Sequence, residues 1–403
     1  MRIAMVSEHA SPLAVLGGVD AGGQNVHVAA LSSALAASGH EVTVYTRRDD
    51  ADLPERLAFV DNVEVVHVDA GPATPVPKDA LLPHMRAFEE ELVKHWGHGR
   101  PDIAHAHFWM SGLASLGAAG RVGVPTALTY HALGSVKRAE QGHKDSSPAE
   151  RCLIEAMLAQ RTDRLIATSN EEIFSLLRMG ARPSSTSLVP CGVDLAHFTV
   201  EGPVHARSAA RRIVVVSRLV ERKGIGNVIE ALPSVPGAEL VIAGGPPWDQ
   251  LDDDVEARRL RSIAADRGVE DRVQLLGRVE RADLPALYRS ADVVACTPWY
   301  EPFGLVALEA MACGVPVVAS AVGGLIDTVV DGVSGVHVPP RRPDELARVL
   351  RGLFAAPAQL RTLGAGGARR AGQRYSWRAV AAETVDAYRA TRAKVVEVVE
   401  RVG

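Results

Sequence analysis

Short apolar segments typical of β-strands recur along the whole chain and alternate with segments that have helical patterning. In the first half, an alanine-rich helical stretch covers residues 26–38 and is followed by Gly39, a residue typical of a helix C-terminus. Strand–helix–strand alternation indicates a parallel sheet, because the helical crossovers must cover its two faces. The strands that we predict in this half cover residues 3–6, 41–46, 63–67, 103–107, 125–130 and 164–169.

The same alternation begins again in the second half, with predicted strands at residues 212–217, 240–243, 273–276, 292–296 and 316–319. A chain of 403 residues is too long for one compact core. The polar segment 201–205 lacks periodicity, as expected of a linker. We therefore predict an α/β protein with two Rossmann-like, doubly wound parallel-sheet domains that face each other across a cleft. The predicted domains are 1–195 and 196–373, followed by a C-terminal helix in 374–403 that crosses the domain junction.

Composition excludes several classes of protein. Hydrophobic residues at 47%, charged residues at 23% and a net charge of −4 describe a globular protein with no nucleic-acid partner. No apolar stretch approaches the roughly 18 residues of a membrane span, and the N-terminus lacks the layout of a signal peptide. The four cysteines are widely spaced, which indicates neither a zinc site nor a disulfide framework. We expect a cytoplasmic protein.

The segment 299–318 carries the strongest functional signal. Glu301 and Glu309 bracket a turn, Phe303 to Leu305, that opens a helix between two predicted strands. The arrangement puts a helix N-terminus at the carboxyl edge of a parallel sheet, where α/β folds bind anionic ligands. A carboxylate at Glu309 could also accept hydrogen bonds from a vicinal diol. The pattern indicates a sugar-nucleotide site, although taken alone it also fits solvated glutamates on an ordinary helix.

Two further segments have residues suited to a phosphorylated ligand. The loop at residues 17–28 contains Gly22, Gly23 and Asn25, and it opens a helix whose free N–H groups could bind phosphate. It matches neither the P-loop nor the dinucleotide pattern, and a plain tight turn is the alternative. Arg218 and Lys223 follow the first strand of the second half, where they could stabilise a diphosphate without a metal. Two solvated cations are the alternative there.

Three of the 14 histidines, His105, His107 and His131, have positions that suggest a role. His131 ends a strand at the carboxyl edge, where an imidazole could donate a hydrogen bond to a sugar hydroxyl or support developing charge. His105 and His107 alternate along one strand and could form a metal pair, but no third ligand has matching spacing. We predict core or cleft packing for these two histidines and no metal site.

Taken together, these segments resemble a known family. Glu301 to Glu309 is similar to the E-x7-E motif of the retaining GT-B glycosyltransferases of the GT4 type, with the turn of that motif in place. The resemblance extends over nearly the whole chain, and the subgroups most similar are mycothiol-pathway enzymes that add N-acetylglucosamine to inositol phosphate and sucrose-phosphate-synthase-like enzymes. It is carried by Gly22-Gly23, Pro101 to Trp109, Thr129 to His131, Val189 to Asp194, Arg218 with Lys223, and Tyr375 to Trp377.

The resemblance implies transfer of a sugar from a UDP or GDP donor to an acceptor hydroxyl, with retention of anomeric configuration and with no metal or other cofactor. The second domain would hold the donor and the first domain the acceptor. By this resemblance, the diphosphate would be bound by Arg218 and Lys223, and a phosphate would also contact Gly23. The ribose would be bound by Glu309, and the base would lie near the backbone of Arg278 and Val279. The transferred sugar would be held by Glu301 with Phe303, Gly304 and Leu305, and His131 would lie beneath it. The implied catalytic set is His131, Glu301, Arg218 and Lys223.

The acceptor side departs from the inositol-phosphate pattern, in which a lysine, a tyrosine, a threonine and an arginine hold the phosphate. Lys78 matches the lysine and Arg151 the arginine, but Phe108 and Ala132 stand where two hydroxyls are expected. Loss of those donors would leave phosphate oxygens poorly satisfied. With Asn25 as a further acceptor residue, we predict a small polar acceptor, neutral or cationic, as in a specialised-metabolite or low-molecular-weight-thiol pathway.

Alternatives remain at this point. The acceptor could still be an inositol phosphate or a sugar phosphate. The protein could instead be a GT-B nucleotide-sugar epimerase that eliminates UDP, or a catalytically silent sugar-nucleotide-binding subunit. The paired glutamates and the two cations favour the transferase. The assembly is left open between a monomer and a homodimer.

Overall fold

The computed structural model describes residues 1–14, 22–142 and 145–402. The chain forms two compact units, the first made of Met1–Cys191 with Trp377–Gly403 and the second of Gly192–Ser376. The chain therefore passes from the first unit to the second after Cys191, whereas we predicted that the first domain ends at residue 195. It returns to the first unit after Ser376, whereas we predicted that the last segment begins at residue 374. A backbone hydrogen bond from Val193 to Tyr375 lies just inside the second unit at both passages.

The first unit contains an eight-stranded sheet in the order β3-β4-β2-β1-β5-β6-β7-β8. All neighbouring strands are parallel except β3, which is antiparallel to β4. Its strands are β1 (Arg2–Val6), β2 (Glu41–Arg47), β3 (Arg56–Val60), β4 (Val63–Val68), β5 (Ile103–His107), β6 (Thr126–Thr129), β7 (Arg164–Ala167) and β8 (Thr186–Leu188). The helices before the linker are α1 (Gly23–Ala37), α2 (Met85–His98), α3 (Trp109–Val122), α4 (Gly134–Gln141), α5 (Arg151–Arg161) and α6 (Asn170–Arg178).

Alternation along β1 divides the core of the first unit into two layers. Ala4 and Val6 pack in one layer with side chains of α2, α3 and α5, while Ile3 and Met5 pack in the other with side chains of α1. Successive side chains of a strand point to opposite faces, so a strand buried on both faces is apolar throughout. This burial explains why most strands of the sheet could be predicted from apolar runs.

The second unit contains a six-stranded, fully parallel sheet in the order β11-β10-β9-β12-β13-β14. Its strands are β9 (Arg211–Val216), β10 (Ala238–Ala243), β11 (Val273–Gly277), β12 (Val293–Cys296), β13 (Val317–Ser320) and β14 (Gly335–Val338). Its helices are α7 (Ile225–Ala231), α8 (Val255–Asp266), α9 (Leu284–Arg289), α10 (Leu305–Ala312), α11 (Gly324–Thr328), α12 (Pro343–Ala355) and α13 (Pro357–Arg374). The strand order is that of a dinucleotide-binding Rossmann sheet.

The last helix, α14 (Trp377–Val402), belongs to the first unit. It packs against α1 and β7, and Val380 and Ala381 join the same core layer as β1 residues Ile3 and Met5. Among the helices of the described residues, none combines the length and apolar character required to cross a membrane.

Both sheets have a point where the direction of winding reverses. In the first unit the reversal lies between β1 and β5, and in the second unit it lies between β9 and β12. Loops that leave the carboxyl ends of two such strands run in opposite directions and leave a crevice between them, which is where open α/β sheets bind ligands. The predicted functional residues of each unit can therefore be compared with its own crevice.

Candidate active site

Lys223 and Glu301 meet at the crevice of the second unit. Lys223 follows β9 and Glu301 follows β12, and the two side chains form an ion pair with only 19% and 16% of their surfaces exposed. Burial alone would raise the pKa of Glu301, but Lys223, with a smaller contribution from Arg222, holds it below its ordinary value. Glu301 is therefore ionised at neutral pH, and the two residues predicted from sequence form a single preformed pair.

Glycines make the close approach of the two loops feasible. Gly224 has a φ of 68°, and a Cβ atom there would lie 1.9 Å from the carbonyl oxygen of Thr297. On the other side of the pair, Gly323 has a φ of 51°, and a Cβ atom there would lie 2.2 Å from the carbonyl oxygen of Glu301. A larger residue at either position would have to displace the backbone that carries the ion pair.

Two more cations lie at the same end of β9. Arg218 is exposed on the loop, and Arg222 is partly buried beside Lys223. Burial, followed by repulsion from Arg218, lowers the pKa of Arg222, while Glu301 acts in the opposite direction. Arg222 was missed in the sequence because its spacing does not distinguish it from a solvated cation.

Helix α10 begins at the predicted turn. Gly304 is its N-cap residue with a φ of 75°, and the Gly304 N–H donates to Glu301 and helps to lower the pKa of that carboxyl. Phe303 precedes this cap, and Leu305 begins the helix. The first N–H groups of an α-helix have no partner within the helix, so this turn directs donors and the positive end of the helix dipole outward.

Glu309 lies on α10 and has two partners that the sequence did not reveal. The Tyr288 hydroxyl donates a 2.7 Å hydrogen bond to its carboxylate, and the nearest Arg281 nitrogen is 3.6 Å away. Burial raises the pKa of Glu309 despite the opposing effects of Tyr288 and Arg281. Val279, predicted near the base, is half-buried in the loop after β11. Tyr288, on α9, and Arg281, in the turn that precedes α9, approach Glu309 only through tertiary packing.

The crevice of the first unit is built around Phe108, which follows β5. Lys78 Nζ lies 5.5 Å and Arg151 Cζ lies 5.0 Å from the centre of its ring. Arg151 is buried, with hydrogen bonds from its guanidinium to the Glu155 carboxylate at 2.7 Å and to the Ala132 carbonyl at 2.6 Å. The structure thus brings four predicted acceptor residues together, with Arg151 held firmly by its own neighbours.

Phe108 and His131 share a further property. Their φ angles are 80° and 61°, in a region that favours glycine, and they follow the neighbouring strands β5 and β6. Strained backbone of this kind clusters at functional sites, where surrounding structure holds it in place. His131 is also 2.8 Å from His107, measured between Nε2 and Nδ1.

Four buried histidines form a group in the first unit: His27, His105, His107 and His131. Burial lowers the pKa of His27 to about 4 and that of His105 to about 3, and it lowers the pKa values of His107 and His131 well below the ordinary value. The rings are therefore neutral at physiological pH. His105 and His107 pack in the interior, as predicted. Within the described ranges, no group of three or more His, Cys, Asp or Glu side chains could hold a metal ion.

Asn25 lies in the first turn of α1, whose first residue is Gly23. Its amide nitrogen donates to the Ser11 carbonyl at 3.0 Å, and its amide oxygen accepts from the Gly22 N–H at 3.0 Å. Asn25 therefore links Gly22 of the glycine-rich loop to Ser11, which lies before that loop. Residues 17–21 of that predicted loop lie outside the described residues.

Sequence reasoning also missed a polar cluster at the end of β1. Glu8 is buried and contacts both His9 and Ser111 through its carboxylate. The signal was visible as the run Ser7, Glu8 and His9 directly after the first predicted strand.

Comparison with known proteins assigns the family. The chain matches the family descriptions "Glycosyltransferase Family 4" over residues 21–197 and "Glycosyl transferases group 1" over residues 203–370. It is 38% identical to a D-inositol 3-phosphate glycosyltransferase of Xylanimonas cellulosilytica, with 96% of each chain covered. The corresponding protein of Streptomyces bingchenggensis is 36% identical, covering 96% of this chain and 89% of that one.

Solved structures agree with this assignment. Sucrose-phosphate synthase of Thermosynechococcus elongatus has a TM-score of 0.87 and 33% identity, covering 98% of this chain and 99% of that one. The Anabaena protein HepE, solved in complex with UDP-glucose, has a TM-score of 0.71 and 21% identity over 96% and 99% of the two chains, a likeness of fold alone. With two parallel-sheet units, the paired glutamates and these relatives, the chain belongs to the GT-B glycosyltransferases of the GT4 type.

Proposed function

We propose that this protein is a retaining glycosyltransferase that moves a sugar from a UDP or GDP donor to a hydroxyl or similar nucleophile of a small polar acceptor. The observation that carries the proposal is the buried Lys223–Glu301 ion pair at the crevice of the second sheet. A carboxylate that is ionised while mostly buried is suited to hydroxyl groups, because it accepts hydrogen bonds and donates none. The lysine beside it is suited to an anion.

The diphosphate is assigned to Arg218 and Lys223, with Arg222 next to them. Negative charge develops on the diphosphate as the glycosidic bond breaks, and fixed cations stabilise that charge without a metal. The first turn of α10 offers further N–H donors. Loss of one such group typically slows catalysis by about 100-fold or more.

The ribose and the transferred sugar are assigned to the two glutamates. Glu309 would accept hydrogen bonds from the ribose hydroxyls, with Tyr288 fixing the orientation of its carboxylate. Glu301 and the backbone of Phe303 to Leu305 would hold the transferred sugar, with the base near Val279. His131 is neutral, so it can donate one hydrogen bond to a sugar hydroxyl without placing a positive charge beside the anomeric carbon.

Retention follows from attack on the same face of the sugar that the diphosphate leaves. The breaking bond runs from the anomeric carbon to the phosphate oxygen, which takes the electron pair. The acceptor oxygen forms the new bond and gives its proton to the departing phosphate. This route requires no nucleophile from the protein, and the residues assigned here include none.

A small polar acceptor is supported by the side chains around Phe108. Ala132 and Phe108 supply no hydroxyl groups, and Arg151 is already bonded to Glu155 and to a carbonyl. Lys78 carries a positive charge and lies against the same ring. A second candidate, D-inositol 3-phosphate, is favoured by the name of the 38% identical relative and by the pairing of Lys78 and Arg151 on one ring.

A matrix of substrates tests the proposal. UDP-, GDP- and ADP-sugars are combined with acceptors that include D-inositol 3-phosphate, unphosphorylated myo-inositol, sugar phosphates and small thiols, and nucleoside diphosphate release is measured. We expect release with one donor class and only in the presence of its acceptor. No turnover of any donor, together with no donor binding by calorimetry, would contradict the enzyme proposal. Donor consumption without a glycoside product would favour the epimerase.

A further inference from the structure

Arg341 has an unusual backbone conformation at the carboxyl edge of the second sheet. It is the third residue after β14, it is exposed, and its φ is 58°. A residue with a side chain is strained in this left-handed region, which glycine adopts freely. The hydrophobic core does not require an exposed arginine, so the strain indicates a role for the side chain.

The side chain of Arg341 lies over the indole of Trp299. Its Cζ atom is 3.9 Å from the centre of the ring, well within the distance at which a guanidinium is attracted to an aromatic face. Trp299 belongs to the loop after β12, and β13 lies between β12 and β14 in the sheet. The contact therefore joins two loops whose strands are not neighbours.

Trp299 connects this contact to the Lys223–Glu301 ion pair. Its indole nitrogen is buried and has no hydrogen-bond partner among the described residues, so packing and the contact with Arg341 fix the ring. Its backbone N–H donates to the Arg222 carbonyl at 2.8 Å. Arg222 directly precedes Lys223, and Trp299 lies two residues before Glu301. This hydrogen bond therefore aligns the two loops that carry the ion pair.

The two members of the ion pair depend on this alignment to different degrees. Lys223 lies in a short turn of its own, where its N–H donates to the Val220 carbonyl at 2.9 Å. Glu301 lies in an irregular loop, which is held at its backbone by the Gly324 N–H, 2.8 Å from the Glu301 carbonyl. Loosening of Trp299 should therefore displace Glu301 more than Lys223.

We propose that Arg341 is a positioning residue for the transferred sugar, acting through Trp299 on Glu301. The inference rests on the proposed function, in which Glu301 holds that sugar, and it adds a residue from a loop with no assigned contact to the donor. Because the diphosphate is assigned to Arg218 and Lys223, loss of the Arg341 side chain should weaken binding of the sugar more than binding of the nucleoside diphosphate.

Arg341→Gly separates this role from a purely structural one. Glycine relieves the backbone strain, which offsets the lost contact and the added freedom of the unfolded chain, so stability to urea should stay near that of wild type. Calorimetry measures the Kd of the donor selected by the substrate matrix and the Kd of its nucleoside diphosphate alone. We expect the Kd of the donor to rise roughly 5- to 30-fold, the range of one cation–π contact, and that of the nucleoside diphosphate to stay within about twofold.

Three further variants test the path of the effect. Asn62→Gly is the matched control, because Asn62 is exposed in the first unit with a φ of 60°, and it should change neither affinity. Arg341→Lys keeps a cation for the ring and should retain more donor affinity than Arg341→Gly. In a Trp299→Leu background, Arg341→Gly should have little further effect, since the contact is already absent. Wild-type donor affinity in Arg341→Gly, or losses that add in the double variant, would overturn the proposal.

Hydrogen exchange tests the inference without any donor. The backbone amides of Trp299 and Gly324 should exchange faster in Arg341→Gly than in wild type, whereas the amides of β9 should exchange at the wild-type rate. Unchanged exchange at Trp299 would overturn the inference even if the protein is an active transferase. If the wild-type protein binds no sugar nucleotide, the proposed function fails instead, and the donor role of Arg341 fails with it.

Discussion

At the scale of single residues, Glu301 and Glu309 lie in similar surroundings but have opposite charge environments. Glu301 has an adjacent lysine that outweighs its burial and lowers its pKa, whereas Glu309 has a hydroxyl and a more distant arginine that do not. The motif therefore contains one carboxylate stabilised by folding and one whose ionisation opposes folding. These two residues have different consequences for stability.

The pH dependence of stability should differ in sign between the two glutamates. A raised folded-state pKa at Glu309 means that its contribution is greatest below the ordinary value of 4.5 and is lost as pH rises. A lowered folded-state pKa at Glu301 means that its contribution is present above 4.5 and is lost as pH falls. Relative to wild type, Glu309→Gln should gain stability between pH 4.5 and 7 and Glu301→Gln should lose it. Urea unfolding across this range measures both, and parallel slopes would contradict the assignment.

Lys223→Ala should abolish most transfer and leave the fold intact. Removing the cation takes away diphosphate stabilisation, which corresponds to about 100-fold or more in kcat/KM. Steady-state kinetics measures this loss, and circular dichroism checks the fold. Lys94→Ala, which removes a lysine paired on the surface of α2, is the matched control and should be neutral. Wild-type kinetics in Lys223→Ala would remove Lys223 from the site.

Much of the donor site could be predicted at the residue scale, because its residues lie within short motifs. Glu301, Lys223 and Gly304 stand at strand ends and turns that the sequence itself marks. Tyr288 and Arg281 could not be found, because α9 and the turn before it reach Glu309 only through tertiary packing. Glu8 could have been found, since polar residues directly after a buried strand are a recognisable signal.

At the scale of elements, turns determine where the ion pair can form. The loop after β9 approaches β12 so closely that only a residue without a side chain fits at Gly224. Gly237 has a similar φ of 72°, but no atom lies within 4 Å of its expected Cβ position. An alanine at Gly237 would therefore meet only the cost of the backbone conformation, whereas an alanine at Gly224 would also overlap with a neighbouring atom.

Gly224→Ala should destabilise the protein more than Gly237→Ala. The backbone conformation alone costs about 1–2 kcal/mol at either position, and the overlap with the Thr297 carbonyl adds to it only at Gly224. Urea unfolding should therefore show that Gly224→Ala lowers the free energy of unfolding by at least about 2 kcal/mol relative to wild type. Equal losses of stability in the two variants would mean that Gly224 does not lie against the Thr297 carbonyl in the folded protein.

Element prediction succeeded where strands are buried on both faces and failed at edges. The apolar runs predicted β1, β2 and β9 because both faces of these strands lie in the core. Strand β3 was missed because it is a largely exposed antiparallel edge strand. Strand β8 is only three residues long, and β14 contains a glycine and a histidine, so neither has an apolar run.

At the scale of the whole molecule, each unit has a single reversal point in its sheet. Apart from Gly23, the residues predicted to bind the donor diphosphate, ribose, base and sugar backbone turn lie in the second unit, and the predicted acceptor residues lie in the first. The α/β architecture and the family could be predicted from the sequence, because both depend on patterns repeated over the whole chain. The acceptor could not be identified from the sequence. Phe108 and Ala132 stand where the inositol-phosphate pattern has two hydroxyl-bearing residues, so that pattern does not name the acceptor here.

Metal removal should leave transfer unchanged. The proposed diphosphate site has Arg218, Arg222 and Lys223 as its positive charges, so a divalent cation is not needed to stabilise the leaving group. Activity measured in excess EDTA should match that in buffer with added Mg²⁺ within about twofold. A complete loss in EDTA, restored by Mg²⁺, would contradict this use of the three cations.

The anomeric configuration of the product shows whether this protein is a retaining glycosyltransferase. Proton NMR follows the anomeric signal of an α-linked UDP- or GDP-sugar during turnover with its acceptor. We expect that the first glycoside signal to appear is also α, with one nucleoside diphosphate released for each glycoside formed. A β-linked product, or loss of donor without any glycoside, would contradict retaining transfer by this protein.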